Sequence, residues 1–292
     1  YDIVLDCGSG FRNCAKDLQA KWEDKKKREL HIFGSHSHFD HTEGFDQAAV
    51  CFDPRNTLII HGNYQYLYSL NSYLGIFSRH VPEDVLGLQT PINFSNMPGK
   101  FKGVEIRDMS DPVVSARHES VHWDLHDVTR PIEIGDTKIT AFFVYHPALC
   151  LAYRIEHGGK VFIYCTDHEL RHGDDPEAPE QKKSEAAEAR LVKCAMEADA
   201  MYRDGQYLRS EYDGLTGIGT SGPVPRIDWG HSCIEDVEAM ALKCRIKHTY
   251  IGHHDPNREW SERNWMDDAL ARGSKGRREK IEFARAGTVI DL

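Results

Sequence analysis

The side chains with the clearest chemical potential lie in one short segment, His-Ser-His-Phe-Asp-His at residues 36–41. Imidazole and carboxylate ligands suit zinc, and also manganese or iron, so this composition predicts divalent metal binding. A loop that follows a strand lets such closely spaced side chains converge, as a helix does not. His36 and His38 would reach one ion, and Asp40 and His41 a second. The chain holds 17 histidines, but a chance cluster of this form would be rare at that frequency.

Two ions need more ligands than this segment supplies, and three further candidates lie far down the chain. Each follows a short apolar run that predicts a buried strand. His146 follows residues 141–145, Asp167 follows residues 161–165, and His253 follows the strand predicted at 248–251. The edge of a sheet could therefore deliver all three to one shared site.

This ligand order resembles the full binuclear pattern of the metallo-β-lactamase superfamily, and the resemblance covers nearly the whole chain. It implies an α/β fold, the four-layer αββα sandwich, as a single domain over residues 1–292. The superfamily's usual first strand and hairpin are missing, so further strands are expected upstream of Tyr1. The resemblance also divides the ligands: His36, His38 and His146 hold one ion, Asp40, His41 and His253 hold the other, and Asp167 bridges the two.

Two more motifs resemble one branch of that superfamily. Leu-Asp-Cys-Gly-Ser-Gly at residues 5–10 is similar to its LDxGxG turn, and Trp-Gly-His-Ser at 229–232 is similar to the Gly-His-Ser/Thr motif of ribonuclease-Z-like enzymes. In that branch the motif histidine assists phosphodiester cleavage, and an acidic residue after a short strand supports it. The resemblance assigns these roles to His231 and Asp204.

A binuclear site of this kind predicts a phosphodiesterase mechanism. Two metal ions about 3.5–4 Å apart share a hydroxide, which attacks phosphorus. His231, oriented by Asp204, would protonate the leaving oxygen. The predicted catalytic side chains are thus Asp40, His231 and Asp204. Asp40 is also one of the predicted metal ligands. The predicted substrate is a small phosphodiester, such as a cyclic nucleotide or an organophosphate.

Two other functions remain open. The same hydroxide would attack the carbonyl carbon of a lactone, thioester or lactam, but only a basic alkoxide leaving group needs the proton of His231. A metal-binding sensor that has lost catalysis is disfavoured by the complete ligand set. Among relatives, oxygen-reducing di-iron proteins carry Glu in place of His38, and the commonest zinc β-lactamases carry Cys in place of Asp167.

Composition limits the partners and the compartment. The net charge of −10 disfavours nucleic acid, whose phosphates require Lys and Arg, and no Gly-Pro-rich exosite arm is visible. No apolar stretch approaches the 18 or so residues of a membrane span, so no membrane partner is expected. The eight cysteines include no CxxC pair and predict reduced thiols in a cytoplasmic protein. A homodimer is possible.

Periodicity predicts an alternation of strands and helices around these motifs. A basic run at residues 25–28 is interpreted as a solvated helix face, and Ser232 with Glu235 as a capping box. Histidines 118, 122 and 126 would share one helix face, a less favoured second metal site. Segments 63–100 and 209–228 are expected to shape the substrate pocket. Helices are predicted at 11–28, 178–198 and from 232, strands at 2–6, 30–34, 57–61, 102–107, 248–251 and 287–291, and hairpins at 131–144 and 151–165.

Overall fold

The computed structural model describes residues 1–111 and 122–292. The chain divides into two units, residues 1–130 and 131–292. Within the described residues, no helix has both the length and the apolar character that crossing a membrane requires. The prediction of a single domain over residues 1–292 stays a prediction.

The first unit contains a five-stranded sheet in which every neighbouring pair of strands is parallel. Its strands follow the order of the chain: β1 (Asp2–Leu5), β2 (Arg28–Phe33), β3 (Asn56–Gly62), β4 (Lys100–Arg107) and β5 (Asp124–Asp127). Parallel strands require crossover connections. Helix α1 (Phe11–Lys21) connects β1 to β2, and α2 (Tyr64–Leu74) lies between β3 and β4.

One face of this sheet forms the core of the first unit. Leu30 and Ile32 of β2 and Leu58 and Ile60 of β3 lie at alternate positions of their strands and are fully buried. They belong to one apolar cluster with residues of both helices, including Leu67. This packing places the end of β2, and the 36–41 segment after it, on a rigid support.

The second unit contains a seven-stranded mixed sheet in the order β12-β11-β10-β9-β8-β7-β6. Strands β6 to β9 form an antiparallel meander, and β9 to β12 run parallel to one another. The carboxyl ends of β7, β9, β10 and β11 therefore lie at the same edge of the sheet. The strands are β6 (Ile132–Ile134), β7 (Thr137–Val144), β8 (Cys150–His157), β9 (Lys160–Cys165), β10 (Ala200–Asp204), β11 (His248–Gly252) and β12 (Lys280–Phe283).

Four helices belong to the second unit: α3 (Pro179–Ala195), α4 (Arg209–Tyr212), α5 (Ile234–Cys244) and α6 (Trp260–Gly273). Leu191 of α3 and Val237 of α5 join Ile163, Met201 and Ile251 of the sheet in one buried cluster. This core fixes the strand ends that carry the predicted site residues.

The structure confirms both predicted hairpins and most predicted strands, and it corrects other predictions. The first helix ends at Lys21 rather than near residue 28. Lys25, Lys26 and Lys27 are exposed as expected, but Arg28 begins β2 and is buried. Its Nη1 lies 2.9 Å from Asp53 Oδ2, so a distant carboxylate, not helix periodicity, sets its environment.

Two predictions about element ends are wrong. The capping box does not form, because helix α5 begins at Ile234 with Cys233 as N-cap, and the Ser232 N–H donates to Asp204 Oδ2 instead. Residues 287–291 are turn and coil, since Gly287 adopts a positive φ of 82°. The last strand is β12.

The second candidate metal site does not have its predicted form. His126 lies on strand β5, where its Nε2 is 2.9 Å from the carbonyl oxygen of Arg130, and His122 precedes that strand in a bend. These two residues are not on a helix. His118 lies outside the described residues.

Candidate metal centre

The predicted ligands fall into one set in each unit. In the first unit, β2 delivers the chain through Gly34 and Ser35 into the 36–41 segment, whose last three residues form a 3-10 turn. The His36 ring lies 4.5 Å from the His38 ring and 4.2 Å from the His41 ring, measured between centroids. His41 Nε2 lies 3.2 Å from Asp40 Oδ2. All four predicted ligands of this unit are thus brought together.

Asp6, just past β1, orients this set. Its Oδ1 accepts the Ser35 backbone N–H at 2.6 Å, and its Oδ2 accepts the Ser35 hydroxyl at 2.7 Å. Oδ2 also lies 2.9 Å from His41 Nδ1. A carboxylate at Nδ1 leaves Nε2 as the ligand atom and fixes the ring, as in carboxylate–histidine–metal arrangements. The LDxGxG resemblance pointed to this turn, but the role of the Asp6 carboxylate was not predicted.

The same turn packs directly on the backbone of the ligand segment. A Cβ atom on Gly8 would lie 2.1 Å from the carbonyl oxygen of Asp40, so no side chain fits there. The Cys7 N–H donates to the carbonyl oxygen of His41 at 2.9 Å. The LDxGxG glycine is therefore required by a close backbone approach.

In the second unit, the predicted ligands lie at the shared sheet edge. Asp167 follows β9 and His253 follows β11, and their facing atoms, Oδ1 and Nε2, are 3.3 Å apart. Asp167 Oδ2 lies 3.9 Å from His146 Nε2, beyond β7. Asp167 and His253 have φ of 44° and 55°, in the left-handed region that costs non-glycine residues energy. Such strain concentrates where a side chain must be aimed at a site.

His146 is oriented by a backbone carbonyl. Its Nδ1 lies 3.0 Å from the carbonyl oxygen of Gly230, so Nδ1 carries the proton and Nε2 is the available ligand atom. A Cβ on Gly230 would lie 2.1 Å from His146 Nδ1. Gly230, predicted only as part of the Gly-His-Ser motif, thus supports a candidate ligand.

His231 and Asp204 occupy the places that the resemblance implied. His231 Nδ1 lies 3.3 Å from Asp204 Oδ2, close enough for an ion pair although not aligned as a hydrogen bond. The His231 ring stacks on the His253 ring with centroids 4.8 Å apart. Asp204 is fully buried and also accepts the backbone N–H groups of His168 and Ser232, at 3.1 and 3.0 Å.

Glu169 is a supporting residue that the sequence reasoning missed. It is fully buried, and it accepts the Tyr212 hydroxyl and the backbone N–H groups of Asp228 and Gly230. Burial raises the pKa of Glu169, against the lowering effect of those three hydrogen bonds. Glu169 thus fixes the turn that carries Gly230 and His231. Its only sequence signal was its position two residues after Asp167.

The donor atoms fit divalent metal ions. Asp167, His231 and His253 offer ligand atoms that all lie within 4.8 Å of one another, a possible metal site within the second unit. In both units, oxygen atoms hold the Nδ1 atoms of candidate ligands, which leaves Nε2 for coordination. This is the chemistry of histidine metal ligands.

Comparison with known proteins identifies the fold. No family model matches the sequence, and a search of curated proteins finds no match. Among solved structures, the chain is similar to a diphosphatase of the PhnP family, with 16% identity, TM-score 0.53, and coverage of 99% of this chain and 79% of the other. For the metallo-β-lactamase fold protein YhfI from Bacillus subtilis, the values are 14%, 0.54, 98% and 85%. For human tRNase Z, short form, they are 14%, 0.52, 98% and 86%.

These likenesses confirm the predicted fold class. The chain has the metallo-β-lactamase fold, in which α/β layers form a sandwich.

Proposed function

We propose that this protein is a metal-dependent phosphodiesterase of the ribonuclease-Z-like branch, with the two ligand sets jointly holding a pair of divalent ions. Zinc is the favoured metal because most ligands are imidazoles, with manganese or iron as alternatives. The first ion would be held by His36, His38 and His146, the second by Asp40, His41 and His253, and Asp167 would bridge them.

The observation that carries the phosphodiesterase assignment is the placement of His231. Its ring stacks on His253, and its Nδ1 faces the buried carboxylate of Asp204. A histidine beside the ligands and backed by a carboxylate is suited to proton transfer rather than to metal binding alone. Hydrolysis of a phosphodiester needs such a group, because its alkoxide leaving group is strongly basic.

The chain's own residues then divide the chemistry. When bound, the metal pair supplies a hydroxide nucleophile and neutralises phosphate charge. Asp204 Oδ2 lies 3.3 Å from Nδ1 of His231, so Nε2 would be the atom that delivers the proton to the leaving oxygen. Glu169 and Gly230 hold the 228–231 segment in place while this proton moves.

We further propose a small phosphodiester as the substrate rather than nucleic acid, because the net charge is −10. Among the similar structures are a diphosphatase and a tRNase Z, so phosphoester chemistry occurs on this fold. All eight cysteines are free, which is compatible with the cytoplasm. A homodimer stays a prediction.

The test is a comparison of leaving groups in His231→Ala. Cleavage of an activated nitrophenyl diester should fall only modestly, because nitrophenolate leaves without a proton. Cleavage of an unactivated alkyl diester should fall on the order of 100-fold or more. Both metals should be retained, as measured by elemental analysis. Asp204 is unsuitable for this test, because its replacement would also break two backbone hydrogen bonds.

His157→Ala is the matched control, since His157 is an exposed histidine of the same unit on strand β8. Equal losses on both diesters would mean that His231 positions the substrate and donates no proton. Loss of an ion would make His231 a ligand, in keeping with its place beside Asp167 and His253. Turnover of lactones or thioesters but of no diester would refute the phosphodiesterase assignment.

A further inference from the structure

Arg226 is a buried arginine whose charge has no acidic partner among the described residues. It is only 6% exposed, and its guanidinium carbon lies 4.4 Å from the centre of the Trp229 ring and 5.8 Å from that of Tyr207. Its Nε is buried and has no hydrogen-bond partner in the described parts of the chain. Two aromatic faces therefore hold a cation whose Nε–H donor is unused among the described residues.

The other deeply buried arginines of the described residues behave differently. Each of them lies within 3 Å of a carboxylate oxygen, which compensates its charge in the interior. The pairs are Arg28 with Asp53, Arg107 with Glu105, Arg203 with Glu188, and Arg258 with Glu211. Arg226 is the exception, and a bound anion would supply the negative charge that a carboxylate supplies to the others. A planar guanidinium matches phosphate and carboxylate oxygens in a two-pronged geometry.

The position of Arg226 relative to His231 is fixed by the fold. The Tyr207 ring contacts both, because its centroid also lies 6.1 Å from the His231 ring in an edge-on arrangement. The backbone N–H of Arg226 donates to the carbonyl oxygen of Tyr212 at 2.8 Å, and the backbone N–H of Trp229 donates to the carbonyl oxygen of Arg226 at 3.1 Å. Glu169 then anchors the following turn at Gly230. Trp229 itself is 49% exposed, so the Trp229 side of this cluster faces solvent.

We infer that Arg226 binds a second anionic group of the substrate, a phosphate or a carboxylate, beside the phosphodiester whose leaving oxygen His231 protonates. The inference rests on the proposed function and narrows it to diesters that carry an additional negative charge. Arg226 would act as a specificity-determining residue, with the ring of Trp229 as the wall of its pocket.

The first experiment needs no turnover. The metal-free chain, kept in chelator, is titrated with inorganic phosphate while tryptophan fluorescence is recorded. We expect saturable binding in the wild type, weakened about 10- to 100-fold in Arg226→Met, as for the loss of charge-assisted hydrogen bonds. Arg226→Lys keeps the charge without the two-pronged geometry and should fall between them. Arg285→Met removes one positive charge from an exposed pair with Asp267, and it should bind phosphate as the wild type does.

The second experiment uses matched nitrophenyl diesters whose other alcohol ends in methyl, in carboxylate or in phosphate. In Arg226→Met the KM of a charged diester should rise about 10-fold or more, with kcat little changed and the neutral diester unaffected. The two charged diesters distinguish a carboxylate from a phosphate ligand. If circular dichroism shows that Arg226→Met does not fold, Arg226→Lys replaces it in this experiment. The inference then requires that Arg226→Lys raise the KM of the charged diesters relative to that of the neutral diester.

Equal KM increases on neutral and charged diesters would make Arg226 a structural residue and overturn the inference. Phosphate binding that is unchanged in Arg226→Met would do the same. A chain that cleaves no diester refutes the proposed function instead, while the titration of the metal-free chain still decides whether Arg226 binds an anion.

Discussion

Oxygen atoms outside the predicted ligand set decide which nitrogen two of the candidate histidine ligands present. Asp6 Oδ2 faces Nδ1 of His41, and the carbonyl oxygen of Gly230 faces Nδ1 of His146. Both rings are thereby turned so that Nε2 is the nitrogen available to an ion. Such preorganisation reduces the ordering that metal binding must otherwise impose on the side chains.

Asp6→Asn should therefore weaken metal binding without removing a ligand. The amide has only one acceptor oxygen and no charge, so it cannot accept from both Ser35 and His41 as the two Asp6 oxygens do. Losses of supporting groups of this kind typically cost about 10- to 100-fold in metal affinity. Competition with a chelator of known affinity measures the change. Asp2→Asn is the control, because Asp2 lies at the other end of strand β1 and pairs with Lys21 and Trp22. Unchanged affinity in Asp6→Asn would show that the carboxylate does not orient His41.

At the scale of elements, the site residues follow short apolar strands, and for this reason the sequence predicted them. The interior strands of a parallel sheet are continuous apolar runs, so a polar residue just past such a run stands out. His146 after β7, Asp167 after β9 and His253 after β11 were recognised in this way. Asp204 was less evident, because β10 ends on it and contains the charged Arg203.

The features that were missed depend on contacts between residues far apart in the chain. The sequence pattern places Arg28 on a basic helix face, but in the structure Arg28 pairs with Asp53. Ser232 reads as a helix cap until Asp204 accepts its N–H. Helix α6 carries a weakly amphipathic pattern, with only Met266 and Leu270 buried, and was not predicted. Local periodicity cannot report such tertiary partners.

An ion pair between a fully buried arginine and a mostly buried glutamate connects helix α3 to the strand that carries Asp204. Arg203 Nη2 of β10 lies 2.8 Å from Glu188 Oε2 of α3, and the same carboxylate oxygen lies 2.9 Å from His168 Nε2. Burial alone would raise the pKa of Glu188, but the charge of Arg203 and the hydrogen bond from His168 lower it below its usual range. This pair therefore attaches the end of β10, at Asp204, to helix α3.

Glu188→Gln should destabilise the fold by about 3–5 kcal/mol at neutral pH, because Arg203 is left as an uncompensated buried charge. The folded pKa of Glu188 is depressed, so its contribution is present above the unfolded value of about 4.3 and is lost as the pH falls through the folded pKa. The stability difference between wild type and variant should thus be constant above about pH 5 and shrink below about pH 4. Denaturant unfolding at a series of pH values measures it. A difference that grows towards acid pH would contradict the assigned direction.

At the scale of the whole molecule, each unit has its own buried apolar cluster. The proposed ligands are divided between the units, four in residues 1–130 and three in residues 131–292. A metal ion held by ligands from both units would therefore link the stability of one unit to that of the other. Ions held within one unit would stabilise that unit alone.

Zinc at about 100 times its dissociation constant should stabilise the wild-type chain by about 3 kcal/mol for each ion bound, because it binds the folded state. If both units contribute ligands, His36→Ala and His253→Ala should each remove most of this gain, and the metal-free variants should unfold much as the metal-free wild type does. For the wild type and each variant, thermal unfolding with zinc and with chelator measures the stabilisation that zinc provides. His80→Ala, an exposed histidine outside the ligand set, should keep the full gain. If only substitutions in one unit reduce the stabilisation, the ions bind within that unit, and the proposal of a site shared by both units is wrong.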